Sequence, residues 1–169
     1  MDKLKVSISN SQKDHAIPTG IRLLIRKCCH AALQEEDLHG DYEVSVRFVN
    51  NDQMRELNRD FRGINETTDV LSFPAKKSDG SYSKNENGAY ILGDIAISVP
   101  KVYEQADRFG HTIQREFAYL TVHAILHLFG YDHESGGLEM VRMREKEESV
   151  LAMLGLQRDA SYVYDHEGV

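Results

Sequence analysis

The sequence predicts an α+β protein, a single domain in which a small mixed β-sheet packs against several helices. Two observations support this class. Segments with the two-residue alternation of strands lie mostly in the first part of the chain, whereas segments with helical spacing of apolar residues dominate the remainder. The chain has 169 residues, 41% of them hydrophobic, which is enough to bury one core.

Two strands and one helix are predicted before residue 50. Residues 5–9 and 44–48 alternate polar and apolar side chains, as half-buried strands do. Between them a helix opens at Pro18 and ends in the acidic turn at 35–41. One face of this helix is apolar, which predicts that it packs on the sheet; its residues are Ile21, Leu24, Ile25, Cys28, Cys29, Ala32 and Leu33.

The middle of the chain predicts a short helix, two strands and a polar loop. Asn51 is placed to cap the helix. Its inward face carries Met54, Leu57 and Phe61. The strands are 70–73, stopped by Pro74, and 91–98. The segment 76–88 between them is rich in Ser, Gly, Asn and Lys, which indicates a flexible loop or a hairpin tip and not a linker between domains.

Three helices are predicted in the last part of the chain. The first runs from Pro100 to near Gly110, and the second covers about 112–129, with Gly130 as its stop signal. The third covers about 138–154, and its inward face carries Val141, Val150, Leu151 and Leu154. The tail after about residue 156 is polar, and residues 1–169 are predicted to form one domain.

Composition predicts a reduced, cytoplasmic protein. No apolar run approaches the ~18–20 residues of a membrane span, and the start lacks the apolar stretch of a secretory signal. The only two cysteines are adjacent, at Cys28 and Cys29, so they do not form a disulfide framework. Because both lie on an apolar helix face, inert core thiols are favoured over metal ligands.

The net charge of −7 argues against binding of nucleic acid by overall electrostatic attraction. Residues 1–85 are neutral, with 13 basic and 13 acidic side chains, and residues 86–169 hold 7 and 14. A site for a polyanion would therefore be a local patch. Its candidates are Arg55, Arg59, Lys76, Lys77 and Lys84, although scattered solvated charges explain each of them equally well.

The segment from His123 to His133 carries the strongest chemical signal. On a helix, residues four apart are separated by ~6 Å along the axis and ~40° around it, so His123 and His127 project side by side. Gly130 can adopt the left-handed conformation that ends the helix and turns the chain back. His133 can then reach the same metal ion as the other two.

Three histidines without a fourth protein ligand leave one coordination position open, which is typical of catalytic zinc sites. Zinc is the favoured ion, although imidazole also suits nickel, copper and iron. The offsets match the zinc-protease motif H-E-x-x-H-x-x-G-x-x-H except at Ala124, where those enzymes carry the glutamate base. A zinc metallopeptidase-like hydrolase is therefore an alternative that Ala124 disfavours.

Four ordered blocks resemble the YbeY-type family of bacterial single-strand-specific endoribonucleases. They are LNRDFRG at 57–63, TDVLSFP at 68–74, LGDI at 92–95 and the histidine segment at 123–133. Together they span about residues 48–135 in the family's order. Thr67 is a departure, since proline is expected there, and it affects the stiffness of the loop more than the chemistry.

The resemblance implies a zinc-dependent endoribonuclease that acts in maturation of the 3′ end of small-subunit ribosomal RNA and in ribosome quality control. His123, His127 and His133 become the ligands of one Zn²⁺ ion, and Arg62 becomes the catalytic or phosphate-binding residue. Implied partners are single-stranded RNA, ribosomal RNA precursors, the small ribosomal subunit and its assembly proteins, but neither a membrane nor DNA. A ribosome-assembly factor with a mainly structural zinc is the second alternative.

Further candidates have simpler explanations beside the functional ones. Asp132 either orients an imidazole or caps the turn. Asp69 and Asp94 lie in the matching blocks. A turn, or a hydrogen bond to neighbouring backbone, explains each of them as well as a functional role does. Tyr131 is placed to stack on a base, but a buried turn tyrosine is favoured. The run 145–148 predicts a solvated helix face. The remaining histidines lack partners at ligand spacing; they are His15, His30, His39, His111 and His166.

Overall fold

The computed structural model describes residues 3–132 and 136–156. Nine elements follow one another along these residues. They are β1 (Lys3–Asn10), α1 (Ile21–Glu35), β2 (Asp41–Val49), α2 (Asn51–Arg62), β3 (Val70–Pro74), β4 (Tyr90–Ser98), α3 (Val99–Phe109), α4 (Ile113–Phe129) and α5 (Gly137–Met153). The predicted α+β class is confirmed. The polar tail, predicted after about residue 156, lies almost wholly outside the described residues.

The four strands form one mixed sheet in the order β1-β2-β4-β3. β1 pairs with β2 and β2 pairs with β4 in parallel, while β3 runs antiparallel to β4 at the edge. The parallel pairs arise because helices lie between the strands in sequence, so the chain returns to the same end of the sheet. A mixed sheet is what the sequence predicts.

One face of the sheet is covered by helices and holds the main core. The alternating residues Val44, Val46 and Phe48 of β2 and Ile95 of β4 belong to a cluster that includes the buried faces of α1 and α4. α4 is central, since it packs against α1, α3, α5, β3 and β4. No helix among the described residues is long and apolar enough to cross a membrane.

The opposite face of the sheet is only partly covered, by α2. Met54 packs there on Val49, Leu71 and Ala96. The prediction that Phe61 points inward is wrong, because 67% of this side chain is exposed. Although Phe61 is on the same helical face as Met54, it lies two turns further along, where its ring contacts Phe73 of the edge strand β3.

The inward face of α5 also differs from the prediction at two positions. Val141 was expected inside but is 46% exposed. The buried positions are Met143, Glu147, Val150 and Leu151. A carboxylate therefore occupies a core position, and the prediction of a solvated face for the run 145–148 is wrong for Glu147.

Two local details refine the predicted boundaries. The cap of α2 is Asn50 and not Asn51: Asn50 accepts from the Gln53 amide, and the Gln53 side chain accepts from the Asn50 amide. The segment 76–88 has hairpin character, since Lys76 bridges to Tyr82.

Candidate active site

His123 and His127 lie side by side on α4, as predicted. Thr112 caps this helix by accepting from the Arg115 amide, and the helix then crosses the core. The two imidazole ring centroids are 4.8 Å apart, with an angle of 78° between the ring planes. His123 is 6% exposed and His127 is half-buried. One buried and one half-buried imidazole therefore lie together in the C-terminal half of α4.

The turn after α4 has the predicted glycine stop. Gly130 is left-handed, with φ of 107°, and its amide donates to the His127 carbonyl. The Tyr131 hydroxyl donates to the Glu36 carboxylate at 2.7 Å. Burial, and then this hydrogen bond, raise the pKa of Tyr131 to about 12. The interpretation of Tyr131 as a turn residue is supported. Asp132 is half-buried, and His133 lies outside the described residues.

Glu147 is a site residue that the sequence analysis missed. Its Oε1 lies 3.3 Å from His123 Nδ1, and both side chains are almost fully buried. In the tautomer that carries its proton on Nδ1, His123 donates to Glu147 and keeps the Nε2 lone pair for a ligand. The signal available in the sequence was the spacing of Glu147 from Met143 and Val150, which places it on the inward face of α5.

Tyr119 completes the surroundings of His123. Its ring stacks on the imidazole, with centroids 5.9 Å apart and 24° between the planes. Burial, and then the nearby Glu147 carboxylate to which its hydroxyl is hydrogen-bonded, raise the pKa of Tyr119 far above its ordinary value. Tyr119 therefore remains a neutral donor to Glu147, and both residues restrict the orientation of the His123 ring.

Asp69 lies at the start of β3, with 2% of its surface exposed. Its Oδ1 accepts a hydrogen bond from the Val70 amide at 2.7 Å. This is the bond to neighbouring backbone that the sequence analysis offered as the simpler explanation of Asp69. Burial raises the pKa of Asp69 to about 6, although a hydrogen bond with Gln105 and the proximity of His123 act in the opposite direction. The buried carboxyl thus lies in the electrostatic surroundings of His123.

Asp94 is placed differently from Asp69. Asp94 is exposed on the face of β4 opposite to the one that packs on α4. Its carboxylate accepts a hydrogen bond from the Ser45 hydroxyl. The preceding Gly93 has a packing role: a Cβ atom there would lie 2.3 Å from the Phe73 carbonyl oxygen and 3.0 Å from Leu128 Cδ2. The block 92–95 is thus explained by close packing between β4, β3 and α4.

Arg62 is the exposed last residue of α2. Gly63 ends the helix in the left-handed conformation, with φ of 71°. The following segment leads into β3, which begins beside buried Asp69 and packs against α4. Arg62 therefore has the exposure that a phosphate-binding arginine requires.

Comparison with known proteins decides the family. A family model described as endoribonuclease YbeY matches residues 7–155. The chain belongs to this family. A YbeY endoribonuclease of Caldanaerobacter subterraneus is 47% identical over 145 residues, covering 83% of this chain and 91% of the relative. One of Clostridium botulinum is 39% identical over 166 residues, covering 90% and 99%.

A solved structure is similar in fold to this chain. The solution structure of TM1509 from Thermotoga maritima is 29% identical, with a TM-score of 0.56, and the match covers 89% of this chain and 91% of that one. The resemblance inferred from the four sequence blocks is therefore confirmed. The third predicted metal ligand stays a prediction. Within residues 3–132 and 136–156 no group of three or more candidate ligand side chains is present.

The candidate basic patch divides into two groups. Arg55 and Arg59 lie on α2 and form exposed pairs with the neighbouring Asp52 and Asp60. Lys76 lies in the hairpin segment, where its Nζ donates to the Phe129 carbonyl at 3.2 Å and lies 5.4 Å from the Tyr82 ring centroid. The lysine thus supports the end of α4.

The cysteines and the outlying histidines have structural surroundings. Cys28 and Cys29 are fully buried, and burial raises the pKa of Cys28 to about 12, as expected of inert thiols. His111 lies 2.8 Å from the buried Glu116 carboxylate, and His15 stacks on Tyr103.

Proposed function

We propose that the chain is a zinc-dependent endoribonuclease that cleaves single-stranded RNA, with ribosomal RNA precursors as its substrate. The observation that carries this proposal is the pair of adjacent imidazoles on α4, one of them oriented by a buried carboxylate, in a member of an endoribonuclease family. A ligating histidine commonly donates its second nitrogen to a carboxylate in this way.

The donor set suits zinc. His123, His127 and His133 would hold the ion, and imidazole nitrogen is a preferred zinc ligand. Bound zinc supplies a Lewis acid for a phosphoryl oxygen and lowers the pKa of a bound water to about 7. Two residues support this role: Glu147 is placed to accept a hydrogen bond from His123 Nδ1, and Tyr119 stacks on the ring.

Arg62 would bind the scissile phosphate. A guanidinium donates to two phosphate oxygens at once and stabilises the negative charge that develops as the phosphodiester bond breaks. The net charge of −7 provides little general attraction for RNA, so a local contact of this kind is needed. It also fits an enzyme whose substrate is presented by the small ribosomal subunit and its assembly proteins.

A peptidase function is disfavoured by the surroundings of Ala124. This residue is 1% exposed and belongs to the main core. A glutamate at this position, as in proteases with the related motif, would place a charge among apolar side chains.

The test is cleavage of a labelled single-stranded ribosomal RNA fragment by purified protein, with metal content measured for each variant. We expect wild type to cut, His123→Ala to lose both metal and activity, and Arg62→Ala to retain metal but lose activity. His39→Ala is the matched control, since His39 is exposed and pairs with Asp37, and it should behave as wild type.

Two outcomes would contradict the proposal. Equal cutting by wild type, Arg62→Ala and His123→Ala would assign the activity to a contaminant. Loss of thermal stability and of ribosome binding in His123→Ala, with no cleavage by wild type, would instead support an assembly factor with a structural zinc. The end group of the product identifies the nucleophile, because a 2′,3′-cyclic phosphate excludes direct attack by water.

A further inference from the structure

Phe61 is a large apolar side chain on the surface beside Arg62. It is 67% exposed, although a helical position shared with Met54 predicts burial. Its ring contacts that of Phe73, with centroids 5.0 Å apart and 60° between the planes. This edge-on arrangement is a favourable one for two aromatic rings, and it leaves most of the Phe61 ring accessible.

Phe73 gives the exposed ring a rigid support. It lies on β3, is half-buried, and packs against the cluster formed by Met54, Leu71 and Ala96. β3 is the edge strand of the sheet, and its other face meets α4. The Phe61 ring therefore lies at the margin of the sheet, against the strand β3 that also packs on the helix with the two histidines.

The charges next to Phe61 favour a nucleic acid over an apolar partner. Arg59 and Arg62 lie in the last turn of α2. Arg59 pairs with Asp60 at 3.2 Å, but both side chains are more than half exposed, so this pair is weak and a phosphate can replace the carboxylate. Accessible aromatic rings and arginines close together in a chain are typical of proteins that bind single strands, where bases stack and phosphates are neutralised.

We propose that Phe61, supported by Phe73, is a stacking platform for an unpaired nucleobase of the RNA substrate, adjacent to the phosphate held by Arg62. This inference rests on the proposed function and deepens it. In a duplex the bases are already stacked on one another, so the platform selects single-stranded RNA.

The chain contains no tryptophan, which provides a direct test. Phe61→Trp introduces a single indole at the platform, and stacking of a base on it should quench its emission. We expect saturable quenching by a short single-stranded RNA, and little change with a duplex of the same sequence or with an abasic ribose-phosphate strand. Leu23→Trp is the matched control, because Leu23 is 56% exposed on α1 and should show no quenching.

Affinity measurements separate stacking from simple apolar contact. Phe61→Ala and Phe61→Leu should both weaken binding of single-stranded RNA about tenfold, whereas Phe61→Trp should bind at least as tightly as wild type. Protein is used with its metal as purified, and the RNA is checked for integrity after each titration. Thermal unfolding of each variant confirms that the fold is retained.

The failures of the two proposals are distinguishable. RNA binding by wild type without quenching in Phe61→Trp, or equal quenching by duplex RNA, would overturn the platform and leave the nuclease proposal intact. Unchanged RNA affinity in Phe61→Ala with loss of binding to the small ribosomal subunit would overturn it in favour of a protein contact. Absence of both RNA binding and cleavage in wild type would refute the proposed function itself.

Discussion

At the scale of single residues, the candidate site depends on how the His123 imidazole is held. Its Nδ1 contacts the Glu147 carboxylate, and its face is covered by Tyr119. Both contacts are buried, so water competes little with them. Under the proposed function, Nε2 is the nitrogen that would bind the metal.

Replacement of Glu147 by glutamine should weaken metal binding. The amide preserves the volume of the carboxylate but removes its charge and one acceptor, so the orientation of His123 is less restricted. We expect a loss of about 10–100-fold in zinc affinity, measured by competition with a chromophoric chelator. Glu145→Gln, in an exposed position of the same helix, is the control. Equal affinities for the two variants would show that Glu147 has no positioning role.

At the scale of secondary-structure elements, the site is built where α4, β3 and β4 pack closely. Gly93 permits this approach, because a side chain at its position meets both the Phe73 carbonyl and Leu128. The last turn of α4 is also tied to the hairpin segment, since the Tyr82 hydroxyl donates to the Leu128 carbonyl at 3.1 Å. The position of His127 therefore depends on contacts far away in sequence.

Gly93→Ala should destabilise the protein strongly. Its φ of 140° is unfavourable for alanine, and the new methyl group would displace β3 or α4. We expect a loss of about 3 kcal/mol or more in the free energy of unfolding, measured with urea. Gly80→Ala has a positive φ but no neighbour within 4 Å, so it should cost only about 1 kcal/mol. A similar cost for both would contradict the packing role of Gly93.

At the scale of the whole molecule, the buried carboxyl of Asp69 contributes to the pH dependence of stability. Asp69 has a folded-state pKa of about 6, against 3.8 for the free group. Between these values the folded state holds this proton more strongly than the unfolded state, so the contribution of Asp69 to the free energy of unfolding decreases as pH rises from 4 to 6. Above pH 6 the full penalty, of the order of 3 kcal/mol, is present.

Asp69→Asn should remove this part of the pH dependence. The amide cannot ionise and retains an oxygen that accepts from the Val70 amide. In metal-free protein we expect the stability of the variant to increase relative to that of wild type as pH rises from 4 to 6, measured by urea unfolding at each pH. Asp107→Asn, at an exposed position, should follow wild type. Parallel curves for wild type and Asp69→Asn would contradict the raised pKa.

The sequence by itself determined the fold class, most element positions, the family and the side-by-side arrangement of His123 and His127. The family follows from the four matching sequence blocks. The other features follow from local rules: two-residue and 3.6-residue periodicities, the glycine stop at Gly130 and the four-residue spacing of the histidines. Such signals need no knowledge of which elements meet.

Only the tertiary structure decided which side chains from other elements contact the residues of the site. By sequence, Glu147 is one acidic residue in a run that predicts a solvated face. In the structure α5 packs against α4, which brings the Glu147 carboxylate to His123 Nδ1. Phe61 follows the inward pattern of α2, but its ring meets Phe73 of the edge strand β3 and stays 67% exposed beside Arg62. Periodicity determines which side of a helix a residue occupies. Burial depends on whether another element lies opposite that side, and contacts distant in sequence decide this.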